Sequence, residues 1–370
     1  MLFDRRFYHV FELKFRLDLS KNMSNINGIE LRQLVCNNEY QPRWESYELG
    51  ELGPQEVRVK SELTAAKHGT EKSELLGKAI YTSAPYTEGK VFDRSQRQNH
   101  DATQWRAVGN TTVGSVIEVG SDVSHLKEGD RVYLYGGFKS VHQGSHFKQL
   151  TDGLIPEAAC CIDPADFAMA AVRDGNVRIG ERVIVSGMGA IGLFAVQFAR
   201  LSGAVDLVAV DPIEARRKLA LQHGATKVVD PNEIDDLGMA SRQWFHDGAD
   251  VVIEASGSYA ALNQAIRAVR YAGKVIPLAM YTGDSSALEL GEEFHFNQID
   301  IISARACSHP QRELYWSESR IVETLLKLFI SDNLHPHGLP NPIVSPDKLP
   351  ETYGKIYHAP EEVIKVAVRW

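Results

Sequence analysis

Residues 183–211 read Val183-Ile184-Val185-Ser186, then Gly187-Met188-Gly189-Ala190-Ile191-Gly192, then an apolar run to Leu201, then Leu207-Val208-Ala209-Val210 closed by Asp211. The order is strand, glycine loop, helix, strand, acid, and each part has a task in holding a dinucleotide. Gly187 permits the tight turn, Gly189 lets the backbone approach a pyrophosphate, and Gly192 lets the helix pack closely on the strand. Met188, Ala190 and Ile191 complete the loop, and the N–H groups at the helix start offer a positive dipole end to phosphate. Asp211 follows Gly192 by 19 positions, where a carboxylate bonds ribose hydroxyls and repels a 2′-phosphate. The loop therefore predicts dinucleotide binding, with NAD favoured over NADP. Arg216 and Arg217, just downstream, offer a rival host for a 2′-phosphate; their plainer reading is a solvated helix face.

Outward from this unit, strands and helices alternate. Lys227-Val228-Val229, Asp250-Val251-Val252-Ile253-Glu254, Lys274-Val275-Ile276-Pro277-Leu278 and Ile299-Asp300-Ile301-Ile302-Ser303 bring the strands to six. A helix from Tyr259 to Val269 places Ala261, Leu262, Ala265, Ile266 and Val269 on one face. Six strands with crossover helices predict a doubly wound parallel sheet, an α/β Rossmann fold. Residues 31–150 read differently. Glu56-Val57-Arg58-Val59-Lys60 alternates, Thr112 to Gly120 forms a second strand, and Glu128-Gly129-Asp130 turns into a third. No crossover helices separate these strands, so a β-rich, barrel-like domain is expected. A helix from Glu318 to Ile330 and a last strand, Glu362 to Val368, are too little for a core of their own and complete the first domain. The division is then an extension at 1–22, a catalytic domain at 23–163 and 306–370, and a nucleotide-binding domain at 164–305.

At 370 residues two domains are the default. Hydrophobic residues make up 44% and charged residues 24%, enough to bury a core, and the net charge of −8 argues against nucleic acid or an anionic membrane as partner. No apolar run reaches the roughly 18 residues that a membrane span needs. Cys36, Cys160, Cys161 and Cys307 make no C-x-x-C pair and no disulfide framework, which fits a reducing cytoplasm. Residues 1–22 alternate apolar and charged residues and do not read as a secretory signal; they are an added strand or an upstream start, with Met23 as the alternative beginning.

The segments Val113 to Val123, Lys127 to Val132, Ile179 to Gly187 and Asp250 to Gly257 together resemble the medium-chain dehydrogenase/reductase superfamily, the group of the zinc alcohol and polyol dehydrogenases. The resemblance spans nearly everything from Glu30 onward. It implies a chaperonin-10-like catalytic domain, a Rossmann domain with Ala255 beside the cofactor, a substrate cleft between them, and a homodimer or homotetramer formed through the edge strand near Ile299 to Ser303. The departures carry as much meaning. Zinc members have a Cys-Gly-Thr-Asp-like motif where this chain reads His68-Gly69-Thr70-Glu71. Their Gly-His-Glu motif is replaced by Gly109-Asn110-Thr111, and their third ligand position falls at Ile162, between Cys161 and Asp163. The four-cysteine structural lobe is missing. Asparagine is a poor zinc ligand, so a zinc-free member is expected; the rival is a rebuilt site from His68, Cys161 and Glu71 or Asp101.

Without zinc, a side chain must take the hydroxyl proton during hydride transfer. His68 is the first candidate, since imidazole titrates near pH ~6.5. Thr70 stands where zinc members relay the alcohol proton, or else caps the helix. Asp163 is placed to orient His68, or else caps the helix at Pro164. Lys67 is a second base if desolvated. Cys160 and Cys161 look like small core residues. Two segments are unusually polar: Tyr81, Tyr86, Lys90, Asp93, Arg94, His100 and Asp101, and then Lys139, His142, Gln143 and His146. Placed around the cleft, they point to a hydroxylated small-molecule substrate such as a sugar, polyol or cyclitol. Two other readings compete. One is a zinc-free reductase of activated double bonds, quinone reductase-like, although Ala65 to Thr70 stands where those carry an Asn-Pro-x-Asp-like motif. The other is a dinucleotide-binding protein without catalysis.

Overall fold

The structure is a computed structural model that describes residues 25–98, 104–306 and 315–370. Its first half is built on one long strand, β1 (Val57–Ala65). β1 pairs antiparallel with β2 (Thr111–Val119), β2 with β3 (Arg131–Tyr135), and β1 also with β4 (Val141–Gly144). The short β5 (Lys148–Gln149) adds to β3. At the end of β1 the chain turns through Ala66 and Lys67 into helix α1 (His68–Leu75), so the residues of the catalytic motif lie where a strand gives way to a helix.

Helix α2 (Ile162–Asp174) opens the second half. β6 (Arg182–Ser186), α3 (Ala190–Leu201), β7 (Asp206–Val210), α4 (Glu214–Gln222), β8 (Lys227–Val229), α5 (Leu237–Phe245), β9 (Ala249–Glu254), α6 (Tyr259–Ala268), β10 (Val269–Pro277) and β11 (Asp300–Ile301) follow in sequence. The sheet order is β8-β7-β6-β9-β10-β11, parallel throughout. Val183, Ile184 and Val185 are fully buried because helices cover both faces of the sheet, which is why these strands read as unbroken apolar runs. The expected doubly wound sheet is present with the 3-2-1-4-5-6 order of a dinucleotide fold.

Two strand ends differ from the expectation. β10 begins at Val269, and the edge strand is only Asp300–Ile301, both exposed, since among the described residues no strand pairs with it on the side away from β10.

The tail divides. Helix α7 (Glu318–Ile330) has the expected bounds but packs on the nucleotide-binding half, with Phe329 edge-on to Phe194 of α3. Beyond it, β12 (Ile343–Val344), α8 (Leu349–His358) and β13 (Ala367–Arg369) return to the first half. β13 pairs antiparallel with β1 and extends its sheet to β12. The last strand is shorter than Glu362 to Val368, since residues 360–362 form a 3-10 turn after Pro360. No described helix is long and apolar enough to cross a membrane. The extension at 1–22 lies outside the described residues.

Candidate functional site

The nucleotide cradle is built mainly from backbone. Gly187 has φ +90°, and a Cβ there would come within 2.6 Å of the Ser256 nitrogen. At Gly192 a Cβ would lie 1.8 Å from the Gly187 carbonyl oxygen, so only glycine lets α3 start this close to its strand. Gly187 donates its N–H to the Val210 carbonyl at 2.8 Å, and Ala255 donates to Ser186 at 2.8 Å, which locks the loop between β7 and the end of β9. The first helical bond runs from Leu193 to Gly189. The N–H groups of Ala190, Ile191 and Gly192 thus stand in the first turn, where a helix has donors to offer. Around Gly189 there is open space. Met188 differs from its neighbours: its side chain is fully buried.

Asp211 is 4% exposed. One carboxylate oxygen accepts the Met188 N–H at 2.7 Å and the other the Ile213 N–H at 2.8 Å. The acid therefore ties the glycine loop to the turn before α4, and each oxygen keeps a lone pair for a ribose hydroxyl. The solvated-face reading of Arg216 and Arg217 does not hold. Arg216 reaches out of α4 to the Pro360 and Val363 carbonyls, at 2.8 and 2.9 Å, and its Nε is buried without a partner. Arg217 donates to the Asp211 carbonyl at 2.7 Å and to the Asp230 carboxylate at 2.8 Å. Both cations are held by the protein, Arg216 as a strap between the two halves.

Sequence reasoning passed over Glu254, a fully buried carboxylate at the end of β9. It accepts the N–H groups of Ser256 at 2.8 Å and Gly257 at 3.2 Å, and the hydroxyls of Ser256 and Tyr281. Burial, and then the Glu254 charge, push the Tyr281 hydroxyl far above its usual range, so it stays a donor. The visible signal was an acid ending an otherwise apolar strand.

Lys67, His68, Thr70 and Glu71 share the junction of β1 and α1. Lys67 Nζ donates to Asp163 Oδ1 at 2.8 Å and lies 4.5 Å over the Phe167 ring, two residues of α2. The Lys67 side chain is 22% exposed and that of Asp163 is 5% exposed. This is a partly buried ion pair whose lysine is the more exposed partner. Asp163 is the second residue of α2 and makes no capping bond; its partner is Lys67, not His68. Thr70 is not a cap either, since α1 begins two residues earlier, and it stays partly exposed.

The expectation that His68 is the proton acceptor is corrected by its bonding. His68 Nε2 accepts the Val366 N–H at 2.9 Å, so that lone pair is spent on the tail strand. Burial first, then the charges of Lys365 and Arg216, push its pKa down to about 3. A ring held neutral with its acceptor nitrogen engaged is a structural tie. Lys365, missed by sequence reasoning, completes that tie: it is 3% exposed and donates to the Ala66 carbonyl at 2.6 Å. A lysine inside the apolar run Val363 to Val368 was the signal. Glu71 is also turned inward. One oxygen accepts the Lys67 N–H and the other the Tyr353 hydroxyl from α8, and burial raises its pKa.

The polar segments scatter. Among the described residues of the first, Tyr81 donates to Glu74 and Asp93 caps its own turn; His100 and Asp101 lie outside the described residues. In the second, His142 is 8% exposed with its pKa pushed down to about 3 by burial, and Gln143 bonds Arg58 and Glu56 beside β1. These side chains are committed to the β-domain and do not form a polar cleft wall. Cys160 and Cys161 are fully buried, as small core residues would be. A small cavity of about 10 Å³ beside Asp163 is lined by Thr111, Tyr133, Leu134, Tyr135, Ala159, Ile162 and Asp163. A wider groove along His223, His335 and His337 holds none of the candidate residues.

Comparison with known proteins agrees with this geometry. The family model described as zinc-binding dehydrogenase matches residues 190–322. The chain is 34% identical over 323 residues to D-guloside 3-dehydrogenase of Escherichia coli strain K12, covering 85% of this chain and 92% of that protein. It is 30% identical over 224 residues to (R,R)-butanediol dehydrogenase of Bacillus subtilis strain 168, covering 52% and 62%. The crystal structure of 2R,3R-butanediol dehydrogenase from Bacillus subtilis superposes with a TM-score of 0.73 at 22% identity, over 92% of this chain and all of that one.

Proposed function

The chain belongs to the medium-chain dehydrogenase/reductase superfamily, and from that premise we propose that it oxidises or reduces a sugar or polyol at a secondary alcohol carbon, takes NAD, and works without zinc. It is an oxidoreductase of CH–OH groups. The observation that carries the finer reading is the Lys67–Asp163 pair, which joins the residue before His68 to the residue after Ile162, two positions where the resemblance places metal ligands.

The donor set does not suit zinc. Ile162 has no donor atom, and Asn110 offers an amide whose nitrogen donates to Thr111 Oγ1. His68 Nε2 is taken by Val366, and the Cys161 thiol is fully buried in the core. Glu71 is bonded inward on both oxygens. Among the described residues no group of three or more His, Cys, Asp or Glu side chains is placed to hold a metal ion.

Bound nicotinamide supplies the hydride acceptor or donor. The chain supplies placement and the proton. The glycine loop and α3 hold the pyrophosphate, and Asp211 holds the ribose while its charge disfavours a 2′-phosphate. Lys67 is the more exposed partner of its ion pair. In the reducing direction its ammonium hands a proton to the carbonyl oxygen; in the oxidising direction its amine takes the hydroxyl proton. Asp163 fixes the ammonium's position and Phe167 limits its hydration. Thr70, one turn along α1, offers a hydroxyl to the same substrate oxygen. The relative's action on a guloside supports a hydroxylated substrate. A homodimer or homotetramer through the exposed outer edge of β11 fits a strand that, among the described residues, pairs only with β10.

The test is a panel of glycosides and polyols against NAD and NADP, with purified full-length protein. Turnover of at least one sugar or polyol with NAD, and a preference for NAD of about tenfold or more, is expected. Turnover of enones alone with NADPH would instead establish a quinone reductase-like activity.

A further inference from the structure

Lys67 is pinched between two residues that the tail of the chain holds. On one side, Ala66 donates its N–H to the Val366 carbonyl at 2.9 Å, and its own carbonyl accepts Lys365 Nζ at 2.6 Å. On the other side, His68 Nε2 accepts the Val366 N–H at 2.9 Å. Two adjacent tail residues thus fix the chain before and after the lysine. Lys365 is 3% exposed and Val366 is fully buried, so water does not compete for these bonds. Asn341 accepts the N–H groups of Ile364 and Lys365 at 3.0 Å each, which anchors the same segment to the first half.

The segment also has a hold on the nucleotide-binding half, through Arg216. The guanidinium leaves the first turn of α4 and donates to the Pro360 carbonyl at 2.8 Å and to the Val363 carbonyl at 2.9 Å. Val363 is 1% exposed and stands two residues before Lys365. Asp211 accepts the Ile213 N–H at 2.8 Å just ahead of α4, and its charge acts on Arg216. The Arg216 charge in turn acts on His68. A line of bonds therefore runs from Asp211 through Ile213, α4, Arg216 and the tail to the residues that flank Lys67.

We propose that Arg216 is a positioning residue, which couples a cofactor held at Asp211 to the place of the Lys67 ammonium through the tail segment 363–366. This rests on the reading of Lys67 as the acid–base group of a sugar or polyol dehydrogenase. Proton transfer needs the lysine within hydrogen-bond reach of the substrate oxygen while the nicotinamide lies against the reacting carbon. Those two parts belong to different halves of the chain, and a displacement of about 1 Å between them costs on the order of 100-fold in rate. A tie whose donors are spent on tail carbonyls acts on kcat and leaves cofactor affinity alone. When a ribose bonds Asp211, the start of α4 loses freedom, and the strap carries that loss to the junction.

The experiment compares wild type with Arg216→Met, Arg216→Gln and Arg216→Lys in the full-length protein. The substrate probe is methyl D-guloside, or D-glucitol should the guloside be inert. Three quantities are read: kcat at saturating NAD, NADH affinity by fluorescence titration, and backbone hydrogen exchange over residues 63–75 with and without NADH. The exposed Pro360 carbonyl can turn to water and Asn341 still anchors the tail, so the variants fold, which melting curves check. Arg216→Gln keeps a polar side chain should methionine fail to fold. Expected in Arg216→Met and Arg216→Gln is a kcat lowered about tenfold or more, with NADH affinity within about threefold. NADH slows exchange over 63–75 in wild type, and the slowing is lost in both variants. Arg216→Lys, which still reaches one carbonyl, keeps kcat within about threefold of wild type. Weakened NADH binding with kcat kept makes Arg216 a holder of the cofactor and overturns the proposal. Equal slowing of exchange in wild type and Arg216→Met, or no slowing in wild type, also overturns it. Each of these outcomes leaves the dehydrogenase reading intact. Wild-type turnover of no sugar or polyol, or undiminished turnover in folded Lys67→Met, brings down the reading of Lys67, and the positioning role with it.

Discussion

The glycine loop at 187–192 and the strand-to-helix junction at 65–71 are built on opposite terms. The loop works through backbone. Its N–H groups, a φ of +90° at Gly187 and a helix start that tolerates no Cβ at Gly192 do the holding, and side chains matter mainly at Asp211. The junction works through side chains gathered from far along the chain. His68 bonds Val366, Lys365 bonds Ala66, and Glu71 bonds Tyr353, each across nearly 300 residues. The difference teaches where a fold allows change. A backbone cradle fixes its glycines whatever the chemistry around it, whereas a side-chain site depends on contacts between segments far apart in the chain.

The contrast breaks most visibly at Lys67. Lys67→Met is expected to lower kcat by about 10²- to 10⁴-fold, the usual range for losing a positioned acid–base group. NADH affinity, measured by fluorescence titration, stays within about threefold because the cradle does not touch Lys67. The variant also leaves Asp163 buried and unpaired, so its melting point falls; Lys67→Arg, which keeps the charge, separates folding from chemistry. Undiminished turnover in folded Lys67→Met would remove the lysine from the reaction.

Gly192→Ala probes the other side. A methyl group 1.8 Å from a carbonyl oxygen forces α3 away from β6, and NADH affinity is expected to fall by about 100-fold or more. Near-normal binding in that variant would mean that the loop is softer than its packing implies.

A smaller effect is expected at His68. If His68 is a tie and not a base, His68→Ala lowers kcat by less than about tenfold and costs roughly 1–3 kcal/mol of stability, by leaving the Val366 N–H without its acceptor. A loss of kcat beyond 100-fold with an unchanged melting point would restore it as the base.

The mildest expectation concerns pH. Burial pushes the pKa of His68 and His142 down to about 3, and that of His223 to about 4. All three stay neutral in the folded chain while the unfolded chain takes up protons below about pH 6.5. Their contribution to stability is therefore complete above that pH and is lost as pH falls toward 4. Each adds a slope of roughly 1.4 kcal/mol per pH unit at most. Denaturant melts at pH 7.5 and 5.5 measure this; equal stability at both would show that these rings are less enclosed than the packing indicates.

Legibility in the sequence follows the same division. The parallel sheet and the glycine loop were readable because they rest on local apolar runs and on positions that only glycine can fill. α7 was readable in its bounds but not in its docking, since its buried face, which includes Leu325 and Phe329, does not say which half it meets. That Lys67 pairs with Asp163, and that His68 is spent on Val366, was not readable, because those bonds join segments 96 and 298 residues apart. The polar segment at 139–146 misled for a related reason. Polarity in a short stretch does not reveal whether the side chains face a cleft or a neighbouring strand.

The central claim is that an ion pair of side chains has taken over the work of a metal. It is tested most directly by metal analysis of the purified protein, followed by turnover of its sugar or polyol substrate with NAD before and after exhaustive chelation. The account predicts zinc well below one per chain and turnover unchanged within about twofold. Stoichiometric zinc, or activity lost on chelation and restored by added zinc, would contradict it.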